Sequence, residues 1–277
     1  MKKAFYIAEI NLPSTSAYSM HVLKMCNHLS QKFQKTELLL ISKSPDISYQ
    51  SLEKKYLLRY KKKFFIKSFF KTRNEISFLG RIWFALKIAN YIKNETNPFV
   101  ISRSLMSSFF LSIFKVYHFL EIHHELRGLT KFIFVNLNFL NSKYINKVVF
   151  ISKTLSKLFN TKNFIILHDA VDLGNFTKAN YPKYIKNIGY VGSFYTGRGI
   201  ENIIRIAKKN TNLNFHLVGK KKNSKFDKLD SKNIKIYDHV SYSKIPNILS
   251  KMDVLLMPYE KTVRVNSENL NTAKYCS

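Results

Sequence analysis

The residues best placed to do chemistry lie in a few short stretches. In Gly192-Ser-Phe-Tyr-Thr-Gly-Arg-Gly199, two glycines bracket Arg198, an apolar run (Ile188 to Val191) precedes, and Ile200, Ile203, Ile204 and Ala207 follow at helical spacing. This predicts a strand, a glycine-rich turn and a helix. A helix start offers unpaired N–H groups and a partial positive charge, so phosphate binds there readily. Arg198 adds a full charge and a planar fork suited to phosphate oxygens. The alternative is a tight connection whose glycines serve only the turn. A second stretch, His123-His-Glu125, closes an apolar run that reads as a strand. Ligands of open α/β sheets bind at the carboxyl ends of strands, so these ionisable groups stand where chemistry usually happens. Strand alternation turns adjacent histidines opposite ways, which leaves one of them for the site. The bland reading is a hydrogen-bonded pair at the surface. No further cysteine or histidine stands at a ligand spacing from them, so metal binding is a weak option.

The elements that must carry these residues follow a repeated order. Phe5 to Ile10 reads as a buried strand, Asn11 to Ser16 as a small polar loop that includes Ser14, Thr15 and Ser16, and Ala17 to Lys32 as a helix. Leu38 to Ile41 is apolar on both faces, as in a covered parallel sheet. Further strands are expected at 99–102, 146–151 and 163–167, and helices at 82–92 and 153–159. Strand, turn and helix recur at 187–208, with later strands at 214–218 (ending at Gly219) and 234–237, a helix at 245–252 and a buried strand at 253–258. Two Rossmann-like units are therefore predicted, residues 1–167 and 185–277, joined by a polar linker at 168–184. Residues 54–73 mix cations with large apolar groups. Such a segment either lies on an anionic membrane surface or packs its aromatics on the domain.

Composition limits the partners. The 277 residues carry a formal charge of +29, with 45% hydrophobic and 23% charged residues, which is globular and strongly basic. Such a charge favours an anionic partner, although abundant lysine, asparagine, isoleucine and phenylalanine also follow from AT-rich coding. The basic residues are dispersed and form no RNA-binding fingerprint, so nucleic acid is not expected. Cys26 and Cys276 stand far apart, which argues against a disulfide scaffold and for a reducing compartment. Glu9 interrupts the apolar start, and no uncharged run reaches the length of a bilayer span, the closest, Ser104 to Phe114, being too short. The expected location is the cytoplasm, with peripheral attachment to the inner membrane face as an option.

Seven segments in order carry a resemblance. Tyr190-Val-Gly-Ser193, Arg198-Gly-Ile-Glu-Asn-Ile-Ile204, Phe215-His-Leu-Val-Gly219 and Asp253-Val-Leu-Leu-Met-Pro-Tyr259 resemble the donor domain of the family 4 glycosyltransferases. Glu121-Ile-His-His-Glu-Leu-Arg-Gly128, Val148-Val-Phe-Ile-Ser152 and Asp169-Ala-Val-Asp-Leu-Gly-Asn-Phe176 resemble its acceptor-domain and hinge segments. The resemblance implies an α/β fold of GT-B type, two Rossmann-like domains facing a cleft. It implies transfer of a sugar, with retention and with no metal or other cofactor required, from a nucleotide donor (UDP- or GDP-linked) to a glycan or lipid-linked acceptor, as in cell-envelope polysaccharide synthesis. It places Gly192, Ser193, Arg198 and Gly219 at the donor and His123 near the transferred sugar, with Ser14, Thr15 and Ser16 replacing a Gly-Gly loop. Ser193 stands where many members have arginine, which leaves Arg198 as the named diphosphate cation. Asn271 to Ser277 resembles the approach to the family's paired glutamates, so the second domain is expected to be incomplete and the chain's activity curtailed. The alternative is a non-catalytic basic protein that binds anionic membrane or nucleic acid through charge.

Overall fold

The computed structural model describes residues 2–60, 62–72, 74–176, 182–220, 231–265 and 268–271. It divides into two compact units, Met1–Asp169 and Ala170–Ser277. Part of the predicted linker (177–181), most of the lysine-rich loop after Gly219 (221–230) and residues 272–277 of the closing segment, Cys276 included, lie outside the described residues, as do Lys61 and Arg73 of the basic segment.

The first unit is built on β1 (Lys3–Leu12), α1 (Ala17–Lys32), β2 (Lys35–Lys43), α2 (Tyr49–Tyr56), β3 (Phe64–Phe70), α3 (Phe78–Ile92), β4 (Phe99–Ser102), α4 (Leu105–Ile113), β5 (His118–Ile122), α5 (Gly128–Lys131), β6 (Ile145–Phe150), α6 (Lys153–Ser156) and β7 (Phe164–Ile166). A π-helical turn, Phe132–Asn136, extends α5. The seven strands pair in parallel in the order β3-β2-β1-β4-β5-β6-β7. Both faces are covered, which is why β1 and β2 read as unbroken apolar runs. Tyr6, Ala8, Ile10 and Leu12 pack with Val22, Leu23 and Cys26 of α1. Phe5 and Ile7, facing the other way, pack with Phe84, Ile88 and Ile92 of α3 and Leu111 of α4. Each large side chain buried in this way contributes roughly 1.5–3 kcal/mol. Ser16 and Ser152 cap α1 and α6, accepting from the amides of Ser19 and Leu155 at 3.1 Å each.

Two stretches take definite form here. Residues 54–73 are not one amphipathic face but a helix end, a turn and the edge strand β3. Tyr56, Leu58 and Phe64 enter the core cluster that holds α1, and Phe69 and Phe70 pack against the cluster that holds α3. Tyr60 and Phe65 stay exposed. The uncharged run at 104–114 is largely α4, capped by Ser104 and packed under α3.

The second unit contains β8 (Asn187–Val191), α7 (Ile200–Lys209), β9 (Asn214–Val218), β10 (Ile234–Tyr237), α8 (Ile245–Leu249), β11 (Val254–Leu255) and a hairpin of β12 (Thr262–Val265) and β13 (Glu268–Asn271). Its parallel sheet runs β10-β9-β8-β11. The buried strand expected at 253–258 is only two residues long, and Leu255 is exposed, because β11 is an edge strand with one paired flank among the described residues.

Candidate active site

Strand order locates the ligand crevice in each unit. In the first sheet the chain builds outward from β1 in one direction through β2 and β3, and in the other from β4. The reversal lies between β1 and β4, where the loops diverge and leave a crevice beyond the strands' carboxyl ends. Glu9 near the end of β1, Arg103 and Ser104 after β4, and Glu121, His123 and His124 at the end of β5 line a cavity of about 710 Å³ there. Phe78, Met106 and Leu126 supply apolar walls. Both histidines line it, contrary to strand alternation, because β5 ends at Ile122 and the period of two ends with it.

Glu121 is the hub. It is 7% exposed and lies within an apolar strand, so its charge requires partners. Its Oε1 accepts from Nε2 of His123 and from Nε2 of His21 at 3.0 Å, and its Oε2 accepts from the Tyr6 hydroxyl. The Arg103 Nη1 stands 3.8 Å from Oε1, with its guanidinium 4.1 Å over the Tyr18 ring. The other ring nitrogen of His21 meets Oδ1 of Asp169 at 3.2 Å. The two imidazoles meet edge to face, 5.0 Å apart. Burial alone would raise the Glu121 carboxyl, but the bonds from His123 and His21 and the charge of Arg103 outweigh it and hold it well below the ordinary range. Burial lowers His21 too, yet Asp169 and Glu121 carry it up to about 8. For His123 burial prevails and the pKa falls, the pull of Glu121 being partly offset by Arg103. His21 hydrogen bonding lowers Asp169.

His21, Glu121 and His123 also bring ligand atoms within 4.8 Å of one another, a set with the elements of a metal site. Local spacing could not find it, since His21 lies on α1, 100 residues from Glu121. Arg103, Tyr6 and Asp169 were likewise not singled out. The available signal was Glu121 itself, a carboxylate inside an apolar run.

Ser14, Thr15 and Ser16 do not line this cavity; they sit in the β1–α1 loop. The Ser14 amide donates to the Tyr56 hydroxyl at 3.2 Å, its Oγ to Ser16 Oγ at 3.1 Å, and Ser16 caps α1. The hydroxyls of Ser14 and Ser16 thus serve the loop's own geometry.

In the second sheet the reversal lies between β8 and β11, and the loops that follow these two strands meet there. Arg198 is held from three directions. Gly199 N-caps α7 at φ +74, where a Cβ would stand 1.9 Å from the Pro258 carbonyl oxygen. The Glu260 amide donates to the Gly197 carbonyl at 2.8 Å, and the guanidinium lies 4.3 Å over the Tyr259 ring. Its Nε is buried without a hydrogen-bond partner among the described residues. Gly192 and Gly219, at the ends of β8 and β9, abut so closely that a Cβ on Gly219 would stand 1.8 Å from the Gly192 carbonyl oxygen. Ser193 lends only its carbonyl, accepting from Tyr190 at 3.1 Å. Four of the sequence-predicted donor residues therefore share one loop system, and Tyr259 is the contact that sequence reading missed.

The sequence matches no family model and no curated protein. Solved structures match over most of its length. A glycosyltransferase from Rickettsia africae ESF-5 aligns with TM-score 0.67 at 14% identity, covering 93% of this chain and 73% of that one. Anabaena HepE, solved in complex with UDP and glucose, aligns with TM-score 0.59 at 10% identity, over 91% and 73%. The UDP-GlcNAc 2-epimerase of Methanocaldococcus jannaschii aligns with TM-score 0.56 at 11% identity, over 92% and 78%. At such identities the likeness speaks for the fold, which is of GT-B type.

Proposed function

We propose that the chain is a glycosyltransferase of the family 4 kind, moving a sugar with retention from a UDP- or GDP-linked donor to a glycan or lipid-linked acceptor in the cytoplasm, in polysaccharide synthesis. The observation that carries this reading is Arg198, clamped beside the start of α7 at the strand-order reversal of the second unit. Charge accumulates on the diphosphate as the sugar departs, and a fixed guanidinium with helix N–H groups stabilises that charge without reorganising. His123 in the first unit meets the acceptor or the transferred sugar. Glu121 takes no covalent part: both its oxygens are bonded and it is nearly inaccessible. No metal is required in this scheme, since Arg198 supplies the cation. Among the described residues no helix is long and apolar enough to cross a membrane, and a membrane role would be peripheral. The α/β likeness weighs against a protein acting by charge alone.

Thermal shift of the full chain with UDP, GDP and their sugars tests the reading. Stabilisation by one nucleotide, lost in Arg198→Ala, is expected. No shift with any nucleotide sinks the proposal. Because the fold also serves an epimerase, the bound nucleotide-sugar is then incubated alone; conversion without an acceptor would replace transfer by epimerisation.

A further inference from the structure

The hydrogen bonds around Glu121 determine proton positions that fold likeness does not. An ionised carboxylate only accepts, so a ring nitrogen facing it must carry hydrogen. Both nitrogens of His21 face carboxylate oxygens, Nε2 on Glu121 at 3.0 Å and Nδ1 on Asp169 at 3.2 Å. His21 is therefore an imidazolium by geometry. His123 turns only Nε2 to Glu121, and its Nδ1 has no hydrogen-bond partner among the described residues. Two cations, His21 and Arg103, already stand beside the Glu121 carboxylate, leaving little electrostatic reason for His123 to be charged.

We propose that His21 is the positioning residue of this site. As a standing imidazolium it bridges Asp169 and Glu121, keeps Glu121 ionised, and so holds His123 as the neutral Nε2–H tautomer with Nδ1 offered to a substrate hydroxyl in the cavity. The charged and titratable groups facing the pair are Glu121 from β5, Tyr6 from β1 (through Glu121), Arg103 after β4 and Asp169 after β7. The hydroxyl's role rests on the proposed transferase reading; the proton positions do not. In a carboxylate–histidine pair the carboxylate selects the tautomer, and the opposite tautomer presents N–H where the hydroxyl needs an acceptor.

The test is long-range 1H–15N NMR of the histidine rings in the full chain, without nucleotide or sugar. At pH 7 His21 is expected to be protonated on both nitrogens and His123 on Nε2 alone. In His21→Gln, His123 is expected to become a tautomer mixture. If nucleotide binding and transfer are found, kcat for the same variant should fall on the order of 10²-fold at unchanged donor KM, with an altered pH profile. An Nδ1–H tautomer of His123 in the wild type, or a His21 ring with one nitrogen bare at pH 7, overturns the proposal. So does stoichiometric Zn2+ capture that perturbs both rings and disappears in His21→Gln, because a metal and not a proton would then join them. The wild-type spectrum at pH 7 decides even if the variant does not fold. A failure here with UDP still bound leaves the transferase reading standing, and the reverse also holds.

Discussion

Gly199→Ala tests how Arg198 is held. Gly199 has φ +74, a region that costs an L-residue roughly 1–2 kcal/mol. The new Cβ would stand 1.9 Å from the Pro258 oxygen and 2.8 Å from its carbonyl carbon, both backbone atoms that no rotamer change can move. The Pro258 segment must retreat by about an ångström, which puts the strain in the overpacking range of about 1–3 kcal/mol. That retreat pulls on the Glu260–Gly197 hydrogen bond, worth about 1 kcal/mol. Together these give roughly 3–6 kcal/mol against a typical domain stability of about 5–15 kcal/mol. Gly128→Ala is the control: φ is +53, but nothing lies within 4 Å of its Cβ, so only the conformational cost of about 1–2 kcal/mol remains. Hydrogen exchange resolved by peptide measures each effect in its own unit, on 187–209 for the first variant and on 118–131 for the control. The expected result is a loss in Gly199→Ala at least 2 kcal/mol beyond the control, about the smallest overpacking and hydrogen-bond terms combined. Equal losses would mean that the Pro258 segment does not press on the loop, and the account of how Arg198 is fixed would fail.

Two further outcomes are expected. Tyr259→Leu removes the ring under Arg198 but keeps its charge, so UDP affinity should fall roughly 2- to 30-fold, the reach of a cation–π contact of about 0.5–2 kcal/mol; unchanged affinity by calorimetry would separate the ring from binding. Buried His118 donates Nδ1–H to the Val116 carbonyl at 2.9 Å and accepts from Ser108 at 2.7 Å, a neutral ring whose pKa burial pushes down to about 4. The unfolded chain takes up this proton near 6.5, so stability from this group is complete above that pH and declines between 6.5 and 4 by about 3 kcal/mol. Urea titrations of wild type and His118→Gln should show a slope in the first that is shallower by that amount in the second.

How much was legible in the sequence depended on the range of the interactions. β1, α1, β2 and the β8–turn–α7 unit were readable because their burial pattern is local and repeats at 2 or 3.6 residues. The turn at 192–199 was readable too, since glycine spacing and one arginine are adjacent in the chain. Residues 54–73 stayed open between two readings because mixed lysines and aromatics suit a membrane surface or packing on the domain, and only pairing with β2 decides. The active-site network was half legible. His123 stood out beside its strand, whereas His21 looked like one polar residue among many on α1. Nothing near His21 in sequence signals Glu121 or Asp169, which β5 and the chain after β7 bring to it.

The two sites share one physical device, and it bears on how binding energy would be used. A free arginine loses up to about 2 kcal/mol of rotamer entropy when a ligand immobilises it. Arg198 has already lost much of that freedom during folding, stacked on Tyr259 with Nε buried and its loop tied to Gly197 and Gly199. His123 is fixed similarly, its ring held by Glu121, which His21 and Tyr6 hold in turn. Ordering a cation or an imidazole in advance shifts the cost from the binding step to the folding of the chain, so more of the contact energy remains for the reacting state. The same reasoning assigns different signatures to the supporting residues. Loss of Tyr259 should appear mainly in nucleotide affinity, because a loosened guanidinium must be ordered again by the diphosphate. Loss of His21 should appear mainly in turnover, because a wrong tautomer binds the same donor yet meets the hydroxyl with a hydrogen where an acceptor is needed.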